Sequence, residues 1–530
     1  MTQYDADVVI IGSGALGANA AYQLAKAGKS VIMLEAGPSV PRWKVVDNYR
    51  NSASKRNWCA PYPDLPWAPN SYSEGYIDAQ GDDDFHYVTS FLKVAGGSTR
   101  HWASACWRLL PNDFKLKSVY GVGRDWPIAY DDLEPWYLRA ERETGVVGTA
   151  DEDQSGQGRD AFPPRSAPYP LPPEAKPYMV QRVQAKLGPL GYQVIHEPHA
   201  RVSRPYDGRP ACAGNNNCEP VCPIGAMYSG DMHVEKAVAL GVELRTESVA
   251  WKLEKGAKNQ IVAVHYRKPD GRDVRLSAKV FVVAAHGLET PKLLLMSEVA
   301  NSSDQVGRNL MDHTGLSMTF LADEPLWTGR GSVQHGSIVT RRDEPSRARH
   351  SAIRYSLRNL VPNIDVTPPL LRQGLMGREL DAAIRDRASR IMNISTMSET
   401  LPSPTNRVIP HPTRRDAAGL PTLQVNYQLD SYVRGMRPQA YRDFANFLMA
   451  FNGEMVEAPT GWRNQYHIMG TTLMGDDPHD SVVDAHCRSW DHPNLFLATT
   501  GVMPTSATVN PTLTGIALAL RLADTLIQEL

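Results

Sequence analysis

The chain has 530 residues and is nearly neutral, with 56 Lys and Arg against 57 Asp and Glu. This length predicts two domains or one large composite unit rather than one small core. The balanced charge argues against nucleic acid or an anionic membrane surface as partner, and no apolar run approaches the ~20 residues that span a bilayer.

The chain begins with the pattern strand, turn, helix, turn, strand, with strands at 8–11 and 31–34 and a helix at 15–27. Residues 40–90 predict loops, since they are rich in Trp, Tyr, Pro and Asn without a steady period. The Pro-dense stretch 161–177 predicts an extended connector. The later predicted elements are helices at 178–190 and 232–241, strands at 242–254, 260–267 and 273–286, and an amphipathic helix with Pro511 in its first turn.

The first turn contains the spacing G-x-G-x-x-G, formed by Gly12, Gly14 and Gly17. In a nucleotide-binding βαβ unit these glycines allow a tight turn, close approach of the backbone to a pyrophosphate, and close packing of helix on strand. Glu35 ends the second strand, where an acid accepts hydrogen bonds from a ribose diol. The alternative is a glycine-rich turn in an ordinary α/β core. The context favours a dinucleotide site but does not distinguish NAD from FAD.

Later motifs resemble the glucose–methanol–choline (GMC) flavoprotein oxidoreductases over essentially the full length of the chain. The order of four stretches carries this resemblance: 93–109, 282–297, 465–475 and 498–520. A fifth, RPYDGRP followed by C-x-G-N-N-N-C-x-P-x-C-P-I-G-A-M-Y, is similar to the catalytic subunit of bacterial membrane-associated FAD-dependent sugar and polyol dehydrogenases. The resemblance implies FAD as cofactor.

The resemblance implies an α/β fold with a Rossmann-type FAD-binding domain and a second, α+β substrate-binding domain built on an antiparallel sheet. Both domains are expected to be discontinuous in sequence. The FAD-binding domain is predicted at 1–45, 90–110, 200–320 and 480–530, and the substrate-binding domain at 46–89, 111–199 and 321–479.

The same resemblance implies that His467 is the base that takes the hydroxyl proton and that Asn510 holds the substrate oxygen. From the residues alone, His467 could equally be a core histidine and Asn510 a helix N-cap. Gln465 and Tyr466 are expected in the substrate pocket, where Tyr466 adds bulk beside the base. The residues expected to bind the cofactor are Gly12, Gly14, Gly17, Glu35, Gly96, Gly97, His101, Val249, Asn510 and Thr512.

His101 and Trp102 resemble the S-T-H-W of pyranose oxidase, in which the histidine carries a covalent flavin. Arg100 interrupts that pattern, which argues against covalent attachment here. The other histidines, including His313, are interpreted as structural, and the cysteines outside the 212–223 loop as packing residues.

Cys212, Cys218 and Cys222 have the spacing C-x5-C-x3-C-P, whose last part also ends bacterial ferredoxin motifs. A disulfide would leave one thiol over, and zinc would need a fourth ligand, for which His196 and His199 are near in sequence. A [3Fe–4S] cluster with three thiolate ligands is the preferred hypothesis, since a one-electron centre links a two-electron flavin to one-electron acceptors.

The sequence thus predicts an FAD-dependent dehydrogenase that oxidises a hydroxyl of a sugar, polyol or sugar acid by hydride transfer to flavin N5. The alternatives are an O2-using sugar oxidase, a glycoside 3-dehydrogenase and a non-catalytic electron-transfer subunit. The first residues lack the features of an export signal. The resemblance therefore implies a small partner bearing a twin-arginine signal, a multi-haem cytochrome c subunit, no membrane span of its own, and a place on the periplasmic side of the bacterial inner membrane.

Overall fold

The computed structural model describes residues 4–53, 55 and 58–530. The α-helices of this part are α1 (Ala15–Lys26), α2 (Arg42–Asn51), α3 (Leu116–Tyr120), α4 (Tyr130–Thr144), α5 (Tyr178–Leu187), α6 (Asp231–Ala239), α7 (His286–Ser297), α8 (Asn363–Arg372), α9 (Gly377–Arg390), α10 (Ser431–Arg434), α11 (Arg437–Ala450) and α12 (Thr512–Glu529). The strands are β1 (Ala6–Ile11), β2 (Val31–Leu34), β3 (Ile77–Gln80), β4 (Val194–His196), β5 (Glu243–Arg245), β6 (Val249–Lys255), β7 (Ile261–Arg267), β8 (Asp273–Leu276), β9 (Ala278–Val283), β10 (Thr314–Gly315), β11 (Ser317–Leu321), β12 (Gln334–Ile338), β13 (Ile353–Arg358), β14 (Ile391–Ser398), β15 (Arg407–Arg415), β16 (Pro421–Asn426), β17 (Glu454–Glu457), β18 (Arg463–Asn464) and β19 (Leu495–Leu497).

A parallel sheet of five strands forms the nucleotide-binding half, in the order β19-β9-β1-β2-β5. In the central strand, Val8 pairs with Val31 on one side and Val280 on the other. Both faces of the strand are buried, as its continuous apolar run predicts for a sheet covered by helices. Helices α1, α6 and α12 pack together over the sheet, and α4 packs on α12.

An antiparallel sheet of eight strands forms the second half, and its main path is β17-β11-β14-β13-β12-β4. Strands β10 and β18 pair beside this path, with β10 also bonded to β14. The sheet packs on α5 and α11 around a second core that includes Tyr355, Phe444 and Phe447. The predicted combination of a Rossmann-type domain and an antiparallel α+β layer is confirmed.

The structure differs from the expected elements at three places. The predicted strand 273–286 is divided between β8 and β9, which belong to different sheets, and its last residue begins α7. The stretch 40–90, predicted as loops, contains α2 and β3. The predicted strand 242–254 is divided between β5 and β6, which belong to different sheets. The division occurs at Glu247, whose φ of +50° turns the chain, and Ser248 then donates its N–H to the Glu35 carbonyl.

All five strands of the parallel sheet fall within the ranges predicted for the FAD-binding domain. Strands β10 and β11, which the prediction also placed there, pair in the antiparallel sheet instead. The domain division itself stays a prediction. In the described part of the chain, no helix combines the length and apolar character needed to cross a bilayer.

Candidate active site

The glycine turn after β1 is packed too tightly for side chains at two positions. A Cβ on Gly12, whose φ is +107°, would lie 2.4 Å from the Ala284 carbonyl oxygen. A Cβ on Gly17 would lie 2.2 Å from the Gly12 oxygen, so the third glycine lets α1 pack on the turn. A Cβ on Gly14 would meet nothing within 4 Å, which leaves its backbone facing open space.

A second glycine turn interlocks with the first. Gly96 has φ +91°, and a Cβ there would be 2.5 Å from the backbone nitrogen of Asp231. Gly97 would bring a Cβ to 2.9 Å from the Cα of Gly14. The Gly96 N–H donates to the Ser13 carbonyl at 3.1 Å. The predicted glycines are thus brought together from two distant parts of the chain.

Glu35 is buried at the end of β2 and accepts three hydrogen bonds. Its Oε2 accepts from the Ser13 N–H at 3.1 Å and the Ser13 hydroxyl at 2.6 Å, and its Oε1 accepts from the Gly37 N–H at 3.0 Å. Burial raises the pKa of this carboxyl, and the three hydrogen bonds oppose that rise. The acid therefore fixes the glycine turn to the second strand as well as facing the cleft beside it.

A long cleft with about 1480 Å³ of empty space runs from this turn to His467. Its walls come from both glycine turns, from β6 and from the start of α12. Among the predicted site residues, its lining includes Gly12, Gly14, Glu35, Gly97, Val249, Tyr466, His467 and Thr512. A cradle of glycines at one end, a buried acid beside it and a histidine at the other end fit an extended dinucleotide such as FAD.

His101 lies behind this lining rather than in it. Its Nδ1 is 3.5 Å from the sulfur of Cys59 and its Nε2 is 3.4 Å from the hydroxyl of Ser90, which does line the cleft. Burial lowers the pKa of His101 to about 4. His101 as a cofactor contact stays a prediction.

His467 lies in a chain of hydrogen bonds that determines where its hydrogen is. His313 Nε2 is 3.0 Å from the carbonyl oxygens of Ser506 and Ala507, which only accept, so this nitrogen carries the hydrogen. Burial lowers the pKa of His313 to about 4, so the ring is neutral and its Nδ1 is an acceptor. Nδ1 of His467, 2.9 Å away, must then be the donor.

The Nε2 of His467 consequently carries no hydrogen. It accepts from the Asn510 amide N–H at 2.9 Å, and the Asn510 oxygen accepts from Arg354 Nη2 at 3.3 Å. The guanidinium can only donate, so it orients the amide with its nitrogen toward His467. Burial, with smaller contributions from His313 and Arg354, lowers the pKa of His467 well below its usual value. The imidazole is therefore neutral, and its Nε2 lone pair is available as an acceptor.

Asp312 fixes the backbone that carries this histidine. It is fully buried, and its carboxylate accepts from the His467 N–H at 2.7 Å and from Asn464 Nδ2 at 3.0 Å. Burial raises its pKa to about 7, while these hydrogen bonds act in the opposite direction. Tyr466 has φ +64°, an uncommon conformation for a bulky residue, which the surrounding bonds maintain.

A second cavity of about 1320 Å³ lies on the open face of the antiparallel sheet and reaches Gln465. Its lining combines three arginines, Arg358, Arg372 and Arg463, with apolar side chains such as Leu360 and Ile391. Gln465 and Tyr466, the two predicted pocket residues, line different cavities although they are adjacent in sequence.

No residue of the cysteine loop lines either cavity, but Cys218 packs near Val333 and Leu360, and Leu360 lines the second cavity. Cys212, Cys218 and Cys222 are free thiols in the structure. Among the described residues, these sulfurs do not form a group within 4.8 Å.

Sequence reasoning assigned no role at the site to three residues around His467, which are Asp312, His313 and Arg354. His313 was interpreted as structural, although its position next to Asp312 in the motif L-M-D-H was visible. Arg354 is on β13 and has no local signal, because it reaches Asn510 only through the fold.

The comparisons with known proteins agree with this geometry. The GMC oxidoreductase family models match residues 198–315 and 402–519, and an FAD-dependent oxidoreductase model matches residues 7–154. The fructose dehydrogenase large subunit of Gluconobacter japonicus is 42% identical, over 99% of this chain and 98% of its own. The 2-methyl-1,2-propanediol dehydrogenase of Mycolicibacterium austroafricanum is 28% identical, over 98% and 94%.

Solved structures share the fold at low identity. A formate oxidase variant from Aspergillus oryzae superposes with a TM-score of 0.68 at 14% identity, covering 100% of this chain and 99% of its own. The family-model matches and the 42% identical relative, rather than this structural likeness, establish the cofactor class and the chemistry. The chain belongs to the GMC oxidoreductase family and is an FAD-dependent oxidoreductase acting on CH–OH groups.

Proposed function

We propose that the protein is a dehydrogenase that oxidises a hydroxyl of a sugar, polyol or sugar acid. The observation that carries this proposal is the unprotonated Nε2 of His467, which lies beside a cofactor-sized cleft and near a second cavity that three arginines line. The 42% identity to a fructose dehydrogenase subunit supports a sugar or polyol as substrate class.

Oxidation of an alcohol carbon removes a proton and a hydride, and bound FAD supplies the hydride acceptor at flavin N5. Before substrate binds, the Asn510 N–H occupies the lone pair of His467 Nε2. A substrate hydroxyl between the two side chains accepts from Asn510 and donates its hydrogen to His467. His467 takes the proton as the carbonyl product forms, while Arg354 keeps the Asn510 amide oriented.

The imidazolium that results is held by His313. His313 Nδ1 continues to accept the hydrogen of His467 Nδ1, and the Nε2–H of His313 still donates to two backbone carbonyls. This arrangement keeps the ring oriented through the reaction, as the third member of a catalytic triad does.

We further propose that Cys212, Cys218 and Cys222 hold a [3Fe–4S] cluster, which supplies one-electron transfer. Three free thiols in one loop with the spacing C-x5-C-x3-C-P support this assignment. The electrons would leave to a multi-haem cytochrome c subunit, and a small partner with a twin-arginine signal would carry the folded chain to the periplasmic side of the inner membrane. The name of the fructose dehydrogenase relative, a large subunit, supports an assembly of this kind.

Dye-reduction assays over a panel of ketoses, aldoses, polyols and aldonates test the proposal. We expect turnover with at least one panel member, and its loss in His467→Ala by about 10²–10⁴-fold with FAD still bound. Peroxide production equal to substrate consumption would indicate an oxidase instead. Undiminished turnover in His467→Ala would contradict the assignment of the base.

A further inference from the structure

Three buried histidines meet outside the cleft. His196 on β4, His335 on β12 and His199 between them are each at most 3% exposed. One nitrogen from each lies within 4.8 Å of the others, and their ring centroids are 5.3–5.5 Å apart. Strands β4 and β12 are adjacent in the antiparallel sheet, which is why residues far apart in sequence converge here.

A carboxylate lies beside two of the three histidines. Glu174, in the Pro-dense connector, places Oε2 at 3.3 Å from His199 Nε2 and 3.9 Å from His196 Nε2. Within the described part of the chain, no Lys or Arg lies within ion-pair distance of Glu174. In the same part of the chain, the nearest charged or polar side-chain partners of this carboxylate are therefore the histidines themselves.

The polar atoms that converge have no hydrogen-bond partners. These buried atoms are His196 Nδ1 and Nε2, His199 Nε2, His335 Nδ1 and Glu174 Oε2. A buried polar atom without a partner costs about 1–3 kcal/mol, and several in one place are rare in native proteins.

We propose that Glu174, His196, His199 and His335 bind one divalent transition metal of the zinc class. Three imidazole nitrogens and one carboxylate oxygen form a four-ligand donor set that zinc commonly takes. Ligands at 2.0–2.1 Å in a tetrahedral site are roughly 3.3 Å apart, which agrees with the His199–Glu174 distance of 3.3 Å.

Two neighbouring groups affect this site. The backbone N–H of Arg201 donates to His199 Nδ1 at 3.3 Å, a long hydrogen bond. This hydrogen bond would be lost on metal binding, because Nδ1 carries the hydrogen when Nε2 is the ligand. The Arg201 guanidinium is also close enough to disfavour positive charge on His199 and His335, and the Glu174 carboxylate offsets it.

Such a site is structural rather than catalytic, because all four positions are filled by protein and none opens to the cleft. It would join the connector to β4 and β12. These elements lie beside the cysteine loop, since Gly331, four residues before His335, donates its N–H to Gly214. The metal would thereby hold the loop in place without contacting its thiols.

The test measures zinc, iron and FAD on the same purified holoenzyme. After mild chelation and dialysis against zinc alone, we expect about one zinc per chain in the wild type. Glu174→Gln and His199→Gln should weaken zinc binding at least tenfold. The matched controls are Glu254→Gln and His265→Gln, which alter an isolated His–Glu pair on β6 and β7 and should bind zinc as the wild type does.

Glu174→Gln covers the case in which His199→Gln does not fold, because the Glu174 side chain is 24% exposed and anchors no other group. Cobalt substitution gives a second readout, with visible d–d bands and no thiolate-to-cobalt charge transfer expected. The proposed site would be overturned if the wild type and Glu174→Gln bound equal amounts of zinc, or if neither bound zinc. Thiolate-to-cobalt charge transfer in the cobalt spectrum would overturn it as well. Iron content and dye reduction on the same samples report separately on the proposed function.

Discussion

Nδ1 of His313 and Nδ1 of His467 lie 2.9 Å apart, and the surroundings of His313 decide which of them carries the hydrogen. Two backbone carbonyls hold the hydrogen of His313 on its far nitrogen, so His467 donates to His313 and keeps Nε2 unprotonated, as its proposed role as base requires. The orientation of the base is thus determined by a residue that never reaches the cleft.

Replacing His313 with Phe should therefore impair turnover while sparing the cofactor. Phe keeps a ring at this position but cannot accept the His467 hydrogen, so the base loses its tautomer and orientation. We expect kcat to fall about 10–100-fold with a smaller change in KM. Steady-state dye reduction, normalised to bound FAD, measures this. A kcat equal to that of His265→Gln, a substitution remote from the site, would refute the orienting role.

Asn510→Asp should change the pH dependence of the reaction. A carboxylate beside Nε2 would favour the protonated imidazole and raise the low pKa of His467. The acid limb of the kcat/KM profile should then move to higher pH, because more of the base is already protonated. Asn510→Ala removes the amide without adding charge and serves as the control. The same profile in both variants would contradict this account of the pair.

The Tyr466 backbone provides a stability test. Tyr466 has φ +64°, and its side chain is 40% exposed. Glycine adopts this conformation without strain and alanine does not, so Tyr466→Gly should be more stable to unfolding than Tyr466→Ala by about 1 kcal/mol. Denaturant unfolding with FAD bound measures the difference. Alanine at least as stable as glycine would show that the left-handed conformation is not retained.

Asp312 should make stability depend on pH between about 4 and 7. Its folded pKa is raised from 3.8 to about 7, so the folded chain holds a proton there that the unfolded chain has released. This contribution is fully present below the unfolded pKa and is lost as pH rises toward 7. We expect the melting temperature of Asp312→Asn to change less over this interval than that of the wild type. Parallel profiles would mean that Asp312 does not titrate as described.

The cysteine loop should carry the iron of the protein. Cys218→Ser removes one of three proposed ligands, and we expect loss of iron, of acid-labile sulfide and of the cluster's EPR signal, with FAD retained. Cys106→Ser, a buried thiol whose sulfur lies 3.3 Å from the Ser104 carbonyl, is the matched control. If the wild-type protein contained no iron after anaerobic purification, the loop would have another role.

Local patterns in the sequence predict part of this molecule well. The turn of Gly12, Gly14 and Gly17 could be predicted because its constraints lie within one βαβ unit. The same is true of α12, whose apolar periodicity and early proline are local features. The division of 242–254 between two sheets could not be predicted, because both halves have strand composition and only the tertiary contacts of Glu35 and Glu247 separate them.

The candidate site divides in the same way. Motif order predicts His467 and Asn510 as site residues, and the structure places their side chains 2.9 Å apart. The partners that give them their protonation state come from other elements, since His313 precedes β10 and Arg354 is on β13. The metal-site histidines illustrate the same limit, because His335 joins His196 only through the pairing of β4 with β12.

The order of strands in the parallel sheet has a consequence for how the chain is made. The central strand β1 is synthesised first, but its neighbour β9 follows about half-way along the chain and the outer strand β19 comes only at residues 495–497. The helix that closes the cleft with Thr512 is the last element of all. The parallel sheet therefore cannot be completed before residues 495–497 have left the ribosome, and the cleft gains its last wall only when Thr512 follows.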